Sequence, residues 1–265
     1  TLHTHGRFLP PYPSSLEYST IGGAIANNAA GEKSIKYGDT RSYVRSLRFV
    51  LANGEVIETR RLSKKELSKK LGLATFEGEI YRSVDTLLEE QRQLLDGTNI
   101  SVTKNNAGYN LLDIKRKDGS FDLTPLIVGS QGTLGIVTEA VLSTESHNPH
   151  TSLTLATFDI LENLQNAVLE LRELPELPCA MEFIDGNVVQ QVHAMNPNQL
   201  KDIVTAPFPA AVLLVEFDGG DRQLKKLGKK AHRIYEKYAV SEQTTTDPEQ
   251  QQHFWKLRQA SGSII

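Results

Sequence analysis

Residues 20–38 of the chain read TIGGAIANNAAGEKSIKYG, and this stretch is the strongest indication of the fold. Its paired glycines, Gly22 and Gly23, let other groups approach the backbone closely because glycine carries no Cβ. Alanines keep the following turn thin, and two asparagines supply amide donors and acceptors. Such backbone suits a flat polar ligand or a phosphate, and it equally suits a packing corner that holds no ligand.

A second glycine-rich stretch, IVGSQGTLGIVT, covers residues 127–138. It is not the dinucleotide fingerprint G-x-G-x-x-G, because Gln131 replaces a required glycine and a strand is predicted to follow. No Lys-Ser or Lys-Thr pair closes it as in a P-loop. These departures disfavour an NAD-binding Rossmann domain and a P-loop NTPase. A third stretch, KNNAGYN at 104–110, on its own predicts only a surface loop with a cation and an aromatic side chain.

The three stretches together, in this order and spacing, resemble the FAD-linked oxidase/dehydrogenase family. Its members include the glycolate oxidase flavin subunit, D-lactate dehydrogenase and D-2-hydroxyglutarate dehydrogenase. The resemblance covers residues 6–145 and continues through MEFIDG at 181–186 and FWKLRQ at 254–259. The first stretch is most similar to large bacterial members that are fused to an iron–sulfur part.

The resemblance implies an α+β fold in two parts. Residues 1–146 are expected to form the second subdomain of a two-part FAD-binding domain, and residues 147–265 an incomplete substrate, or cap, domain. The positions that match the family's FAD-lining segments are Pro11, Ser14, Thr20, Gly22, Gly23, Asn27, Gly31, Tyr37, Gly38, Gly132, Gly135, Ile136 and Val137.

Arg258 matches the family arginine that binds the substrate carboxylate, a role for which a planar guanidinium is well suited. The implied reaction is oxidation of a 2-hydroxy acid, such as D-lactate, glycolate or D-2-hydroxyglutarate, by hydride transfer to FAD. Two alternatives stay open: the same scaffold acting on another alcohol, and a non-catalytic subunit that only keeps the fold.

Two family segments have no counterpart in these residues. One is an upstream glycine-rich loop for the FAD pyrophosphate, and the other is a downstream H-x-x-G-D-G-N-x-H segment with metal and catalytic roles. We therefore expect an internal part of a larger enzyme, with the catalytic base outside it and with weak FAD binding, or none, by these residues alone. An iron–sulfur cluster in a further C-terminal part, the electron acceptor and the oligomeric state stay open.

The composition of the 265 residues, with 39% hydrophobic and 23% charged residues, is typical of a globular protein. No apolar run is long enough to cross a bilayer. The net charge of −3 gives no reason to expect nucleic acid as a partner. The single cysteine, Cys179, excludes an intrachain disulfide and favours a reducing, cytoplasmic compartment, with peripheral membrane association of the intact enzyme left open.

The histidines show no metal-ligand spacing with carboxylates, so no metal site is predicted. A basic cluster at residues 60–72 could contact an anionic surface, but a run of charges is more often a solvated face, and we interpret it so. Alternation and Asn53-Gly54 predict a hairpin over 44–59.

Periodicity predicts the remaining elements. In the first part these are a helix at 78–95 and strands at 126–128 and 134–142, the last with Ile136, Thr138, Ala140 and Leu142 on one face. In the second part, strands and helices are predicted to alternate, with the helices on one face of a sheet. The ranges are 152–158, 180–184 and 211–217 for strands, and 160–173, 187–195 and 221–238 for helices.

Overall fold

The computed structural model describes residues 2–98, 102, 104–197 and 203–262, without the side chains of 261 and 262. The chain divides into two compact units. The first comprises Thr1–Ser34 and Gly38–Glu145, and the second comprises Ile35–Tyr37 and Ser146–Ile265. None of the described helices is long and apolar enough to cross a membrane.

The first unit is built from short helices and a three-stranded antiparallel sheet. Its strand order is β3 (Val56–Arg60), β2 (Val44–Val50) and β4 (Ile136–Leu142). The elements from the N-terminus to the unit boundary are β1 (Arg7–Phe8), α1 (Ile21–Ala26), α2 (Ser34–Tyr37), β2 (Val44–Val50), β3 (Val56–Arg60), α3 (Lys64–Leu71), α4 (Phe76–Glu90), α5 (Arg92–Asp96), α6 (Thr124–Ile127), β4 (Ile136–Leu142) and β5 (Glu145–Ser146).

The hairpin predicted over 44–59 is confirmed by β2 and β3. Gly54 adopts a φ of 85°, which a glycine accepts without strain, and its N–H donates to the carbonyl of Leu51 at 2.9 Å. Leu47, Phe49 and Ile57 are buried against α1 and α6 residues in one apolar cluster. The alternation in the sequence therefore identified the core face of this sheet correctly.

β4 carries a bulge that changes which of its side chains reach the core. Pairing with β2 passes from Arg48↔Glu139 to Phe49↔Val137, so Thr138 is the extra residue. Val137 and Ala140 pack against the core, whereas Ile136 is 68% exposed. The prediction that Ile136 and Thr138 share a face with Ala140 was therefore wrong, because one extra residue reverses the alternation.

A second apolar cluster lies under α3 and α4, with Tyr81 and Phe121 fully buried and their ring centroids 5.7 Å apart. The helix predicted at 78–95 is present, but it begins at Phe76 and is interrupted at Gln91. The predicted strand at 126–128 was wrong. Residues 124–127 form α6, because Pro125 suits the first turn of a helix.

The second unit is built from helices and a four-stranded antiparallel sheet. Its predicted strands and helices are present within a few residues. They are β6 (Thr151–Phe158), α7 (Leu161–Arg172), β7 (Ala180–Asp185), α8 (Gly186–Met195), β8 (Ala211–Asp218) and α9 (Asp221–Tyr238). The structure adds a strand, β9 (Ser241–Thr245), and a helix, α10 (Pro248–Gly262), outside the predicted ranges. The strand order of the sheet is β7-β8-β6-β9.

Helices cover both faces of this sheet, contrary to the prediction of one face. Leu213 and Val215 of β8 pack in the cluster formed with α7 and α9. Val212 and Leu214 pack in the opposite cluster, with Phe254 of α10. A strand that is apolar at successive positions, as β8 is, is buried on both sides, and this pattern should have predicted two helical layers.

Candidate functional site

The three glycine-rich and asparagine-rich stretches meet at Asn28, which is fully buried in the first unit. Its Nδ2 donates to Asp39 Oδ2 at 2.7 Å and to Asn106 Oδ1 at 2.9 Å. Its Oδ1 accepts from the backbone N–H of Arg41 at 2.8 Å. Asn28 has a φ of 46°, a left-handed conformation that asparagine tolerates better than most residues. This side chain therefore connects the first stretch to the third.

Arg41 extends the network to the second stretch. Its guanidinium donates to the carbonyl of Val128 at 3.1 Å. Burial lowers the pKa of Arg41, and the neighbouring carboxylate of Asp39 opposes that shift. A Cβ on Gly129 would lie 3.1 Å from this guanidinium, and Gly129 has a φ of 89°. The glycine therefore leaves room for the arginine.

The loop of the second stretch is hydrogen-bonded to the end of α1. The N–H groups of Gly129 and Gln131 donate to the carbonyls of Ile25 and Ala26, each at 2.9 Å. These carbonyls belong to the last turn of the helix, where carbonyls lack the i+4 donors of the helix interior, and that of Ile25 also accepts from the N–H of Asn28 at 3.1 Å. The hydroxyls of Tyr109 and Thr133 are 2.8 Å apart, which joins the third stretch to the second. One continuous polar scaffold therefore holds all three stretches.

Four of the six glycines that were predicted to line a cofactor fall into two groups. A Cβ on Gly31 would overlap the carbonyl oxygen of Tyr12, and one on Gly135 would overlap that of Val50. These two glycines are required by packing. A Cβ on Gly22 or Gly132 would meet nothing within 4 Å. Of these four glycines, only Gly22 and Gly132 leave their backbone accessible to an approaching ligand.

The other predicted cofactor positions differ in their surroundings. Thr20 caps α1, and its Oγ1 accepts from the N–H of Gly23 at 3.0 Å. Asn27 is the C-cap of α1, and Gly38 ends α2 with a φ of 78°. Each of these three residues therefore lies at an end of a short helix and caps it.

Pro11 is buried and Ser14 is exposed, while Val137 is half-buried in the core of the sheet. Tyr37 belongs to the second unit, where its hydroxyl donates to Asp218. The predicted set is therefore not one continuous surface within the first unit.

Exposed apolar residues flank the open glycine of α1. Ile21 is 52% exposed and precedes Gly22, and Ile136 is 68% exposed on β4, against which α1 packs. Next to the Asn28–Arg41 network, the first unit has a cleft of about 860 Å³ lined by Arg41, Asn105 and Tyr109 among others. The outer side of the scaffold thus combines glycine backbone that no side chain covers, exposed apolar side chains and polar groups.

Arg258 lies on α10 in the second unit and forms an ion pair with Glu182 of β7. Its Nε donates to Glu182 Oε2 at 2.6 Å, and the arginine and glutamate side chains are 34% and 17% exposed. The sequence motifs MEFIDG and FWKLRQ therefore contribute one residue each to a single charged pair. Among the described residues, no group of three or more histidine, cysteine or acidic side chains could hold a metal ion.

Two family models match the chain in sequence order. Residues 1–60 match the FAD binding domain, and residues 147–263 match the C-terminal domain of FAD linked oxidases.

The chain belongs to the FAD-linked oxidases.

Curated relatives of this FAD-linked oxidase chain have names that agree with the family. It is 30% identical to glycolate oxidase subunit GlcD of Bacillus subtilis, over 100% of the chain and 44% of that protein. It is 29% identical to D-2-hydroxyglutarate dehydrogenase of Pseudomonas putida, over 83% of the chain and 22% of that protein. For D-lactate dehydrogenase of Archaeoglobus fulgidus the identity is 30%, over 70% of the chain and 30% of that protein. The chain thus spans less than half the length of these relatives.

A solved structure supports the fold. Alkyldihydroxyacetonephosphate synthase superimposes with a TM-score of 0.62 at 19% identity, covering 98% of this chain and 39% of the other. At this identity the similarity concerns the fold, which is the α+β architecture of FAD-linked oxidases.

The family models indicate FAD as the cofactor of this FAD-linked oxidase. The residues present fit such a group, because a flat ring can lie on backbone without side chains, next to exposed apolar residues such as Ile21. Sequence reasoning missed Asn28, Arg41 and Glu182. The two adjacent asparagines were visible in the sequence, but nothing local showed which of them turns inward.

Proposed function

We propose that the chain is the central part of an FAD-dependent dehydrogenase or oxidase that acts on a small 2-hydroxy acid. The observation that carries the proposal is the occurrence, in order, of the FAD binding domain and the FAD-linked oxidase C-terminal domain. Relatives named as glycolate oxidase, D-2-hydroxyglutarate dehydrogenase and D-lactate dehydrogenase support this substrate class.

In this proposal the first unit contributes part of the FAD site. Gly22 and Gly132 leave open backbone for the cofactor, and Thr20 and Ile136 border it. The remaining predicted positions, including Gly31 and Gly135, act indirectly because they hold the loops in place. FAD, when bound, supplies the acceptor for the hydride that leaves the α-carbon of the substrate.

The second unit contributes the carboxylate anchor, Arg258. Glu182 holds the guanidinium by its Nε, and a guanidinium has further N–H donors on its two terminal nitrogens. Binding the substrate carboxylate there would fix the α-carbon and exclude substrates that lack a carboxylate. The proton of the substrate hydroxyl would pass to a base outside the described residues.

The proposal includes two further expectations from the sequence, a cytoplasmic location and an iron–sulfur cluster in a fused part. Cys179 is buried, and a chain with a single cysteine forms no intrachain disulfide, which suits a reducing compartment.

The test is anaerobic spectroscopy of the purified intact protein. We expect flavin absorbance that is bleached by D-lactate, glycolate or D-2-hydroxyglutarate, and not by the corresponding alcohols without a carboxylate. Bleaching by an uncharged alcohol alone would favour the second candidate, the same scaffold with another substrate. A protein without flavin absorbance and without turnover would overturn the proposal in favour of a non-catalytic subunit.

A further inference from the structure

The helix α9 has one buried face and one charged face. Leu224, Leu227, Ala231 and Ile234 are buried in the core of the second unit. The opposite face follows the spacing i, i+3, i+4, i+7, i+8 and i+11, which is one side of an α-helix. Every position of that series is basic, and the six residues are Arg222, Lys225, Lys226, Lys229, Lys230 and Arg233.

This basic face of α9 is a straight row. From the first to the last of the six residues it spans roughly 16 Å at 1.5 Å per residue. Five of the six residues are exposed, and Lys230 is half-buried. Because the chain as a whole has a net charge of −3, the row is a local concentration of positive charge.

The charges of the basic face are not compensated within the described part of the chain. No salt bridge found among those residues involves any of the six. Other charged groups of α9 do have partners: Lys237 pairs with Glu170 at 2.8 Å, and His232 pairs with Glu242.

The basic cluster at residues 60–72 offers a direct contrast. There Arg60 pairs with Glu66, Arg61 with Asp118 and Lys70 with Glu77. Half of that cluster is therefore neutralised by carboxylates, as expected of an ordinary solvated face. Among the described residues, no carboxylate forms a salt bridge with a cation of the basic face of α9, and Glu236, three residues after Arg233, pairs with His232 instead.

We propose that the basic face of α9 docks the protein on an anionic lipid bilayer. A row of cations on one side of an amphipathic helix can meet the phosphate groups of a flat surface all at once. None of the exposed large hydrophobic residues belongs to the row, so it lacks the apolar anchor that a stable protein interface needs at its centre. It also lacks exposed aromatic side chains, on which single-stranded nucleic acid would stack.

The test is co-sedimentation of the intact protein with vesicles at low salt. We expect binding to vesicles of phosphatidylcholine doped with phosphatidylglycerol, no binding to phosphatidylcholine alone, and loss of binding as salt screens the charges. The triple variant Lys225→Gln, Lys226→Gln, Lys229→Gln should bind about a hundredfold more weakly, because each cation near an anionic surface contributes about fivefold. All three lysines point away from the core, so the fold should be retained, as circular dichroism would verify.

A matched control removes the same charge from α3. The variant Lys64→Gln, Lys65→Gln, Lys69→Gln changes three exposed lysines that form no salt bridge among the described residues, as is true of the lysines of α9. Unlike those, they lie among cations that carboxylates neutralise, so this variant should bind vesicles as the wild type does. Three results would overturn the proposal: no binding of the wild type to anionic vesicles, equal losses in both triple variants, or tighter binding to single-stranded DNA than to the vesicles. FAD content and turnover are separate readouts, so this outcome is independent of the proposed reaction.

Discussion

Arg258 and Glu182 form an ion pair of 2.6 Å between the last helix of the chain and an outer strand of the second sheet. The glutamate is the more buried partner, with 17% of its side chain exposed. An arginine held in this way loses less conformational entropy when it binds a second carboxylate. The pair thus gives a physical reason to expect that both sequence motifs contribute to the proposed binding of a substrate carboxylate.

We expect Arg258→Ala to lower kcat/KM about thirtyfold or more in the intact enzyme. Losing a buried charge-assisted contact costs roughly 2–5 kcal/mol, and about 1.4 kcal/mol corresponds to a factor of ten. Lysine should rescue poorly, because an ammonium cannot present two parallel donors. Steady-state kinetics and flavin absorbance provide the measurement, and the flavin content should stay unchanged.

The control for this experiment is the double variant Arg258→Ala, Glu182→Gln. It removes the carboxylate that the single variant leaves without its arginine, so any loss of stability in the single variant should be relieved. Activity should not return. If the double variant recovers wild-type kcat/KM, or if flavin disappears together with activity, Arg258 is a structural residue and the anchor lies elsewhere.

Gly22→Val should abolish flavin retention by the intact enzyme while leaving the fold in place. A Cβ there meets nothing within 4 Å of the protein, so the added methyl groups would extend into the space proposed for the cofactor. Gly228→Val in α9 is the matched control, since Gly228 is also helical with open space around it and lies in the second unit. Equal flavin content in the two variants, measured by absorbance after gel filtration, would contradict the placement of FAD at Gly22.

Alanine substitutions should have opposite effects on the free energy of unfolding at a glycine with open space around it and at a glycine confined by neighbouring atoms. Gly31→Ala should lower the free energy of unfolding by roughly 1–3 kcal/mol, because its Cβ would overlap the carbonyl of Tyr12. Gly22→Ala should leave it unchanged or raise it by about 0.5–1 kcal/mol, because glycine is unfavourable inside a helix. Urea unfolding of the two variants measures this, and similar losses in both would show that Gly22 is also packed.

The stability of the N-terminus of α3 should depend on pH, because the carboxylate of Glu66 contributes to it. Hydrogen bonds from the Ser63 backbone and from Arg60, then from the Ser63 hydroxyl, lower the pKa of Glu66 from 4.5 to about 2. Because the folded-state pKa is depressed, the stabilisation is complete above pH 4.5 and is lost as the pH falls towards 2. Amide hydrogen exchange of α3 in the wild type and in Glu66→Gln should differ at neutral pH and converge in acid. A difference that persists at pH 2 would exclude this carboxylate as the cause.

Much of the secondary structure could be predicted because the periodicity of the hydrophobic residues and the residues typical of turns indicate the same elements. The Asn53-Gly54 turn and the periodicity of α9 are examples in which one short segment contains all the necessary information. The strand at 126–128 was mispredicted because Ile127 and Val128 are apolar in either conformation, and Pro125 was not weighed. The bulge at Thr138 had no local signal, since it depends on pairing with β2.

The candidate site was predictable in its segments but not in its individual contacts. Glycine content identified the loops, yet the sequence could not separate Gly22, which has open space, from Gly31, which a carbonyl confines. That distinction depends on Tyr12, a residue far enough along the chain to be invisible to local patterns. Likewise, Asn28 and Asn27 look alike in sequence, and only their different burial assigns the polar network to Asn28.

The central position of β8 also bears on how the chain avoids aggregation. Residues 211–215, AVLLV, form an uncharged run of the kind that assembles into intermolecular β-structure when it is exposed. In the native sheet β8 lies between β7 and β6, so both of its edges are occupied. The outer strand β9 is instead polar, SEQTT, which discourages pairing with other chains. Variants that destabilise the second unit should therefore aggregate, because partial unfolding exposes β8 to other chains.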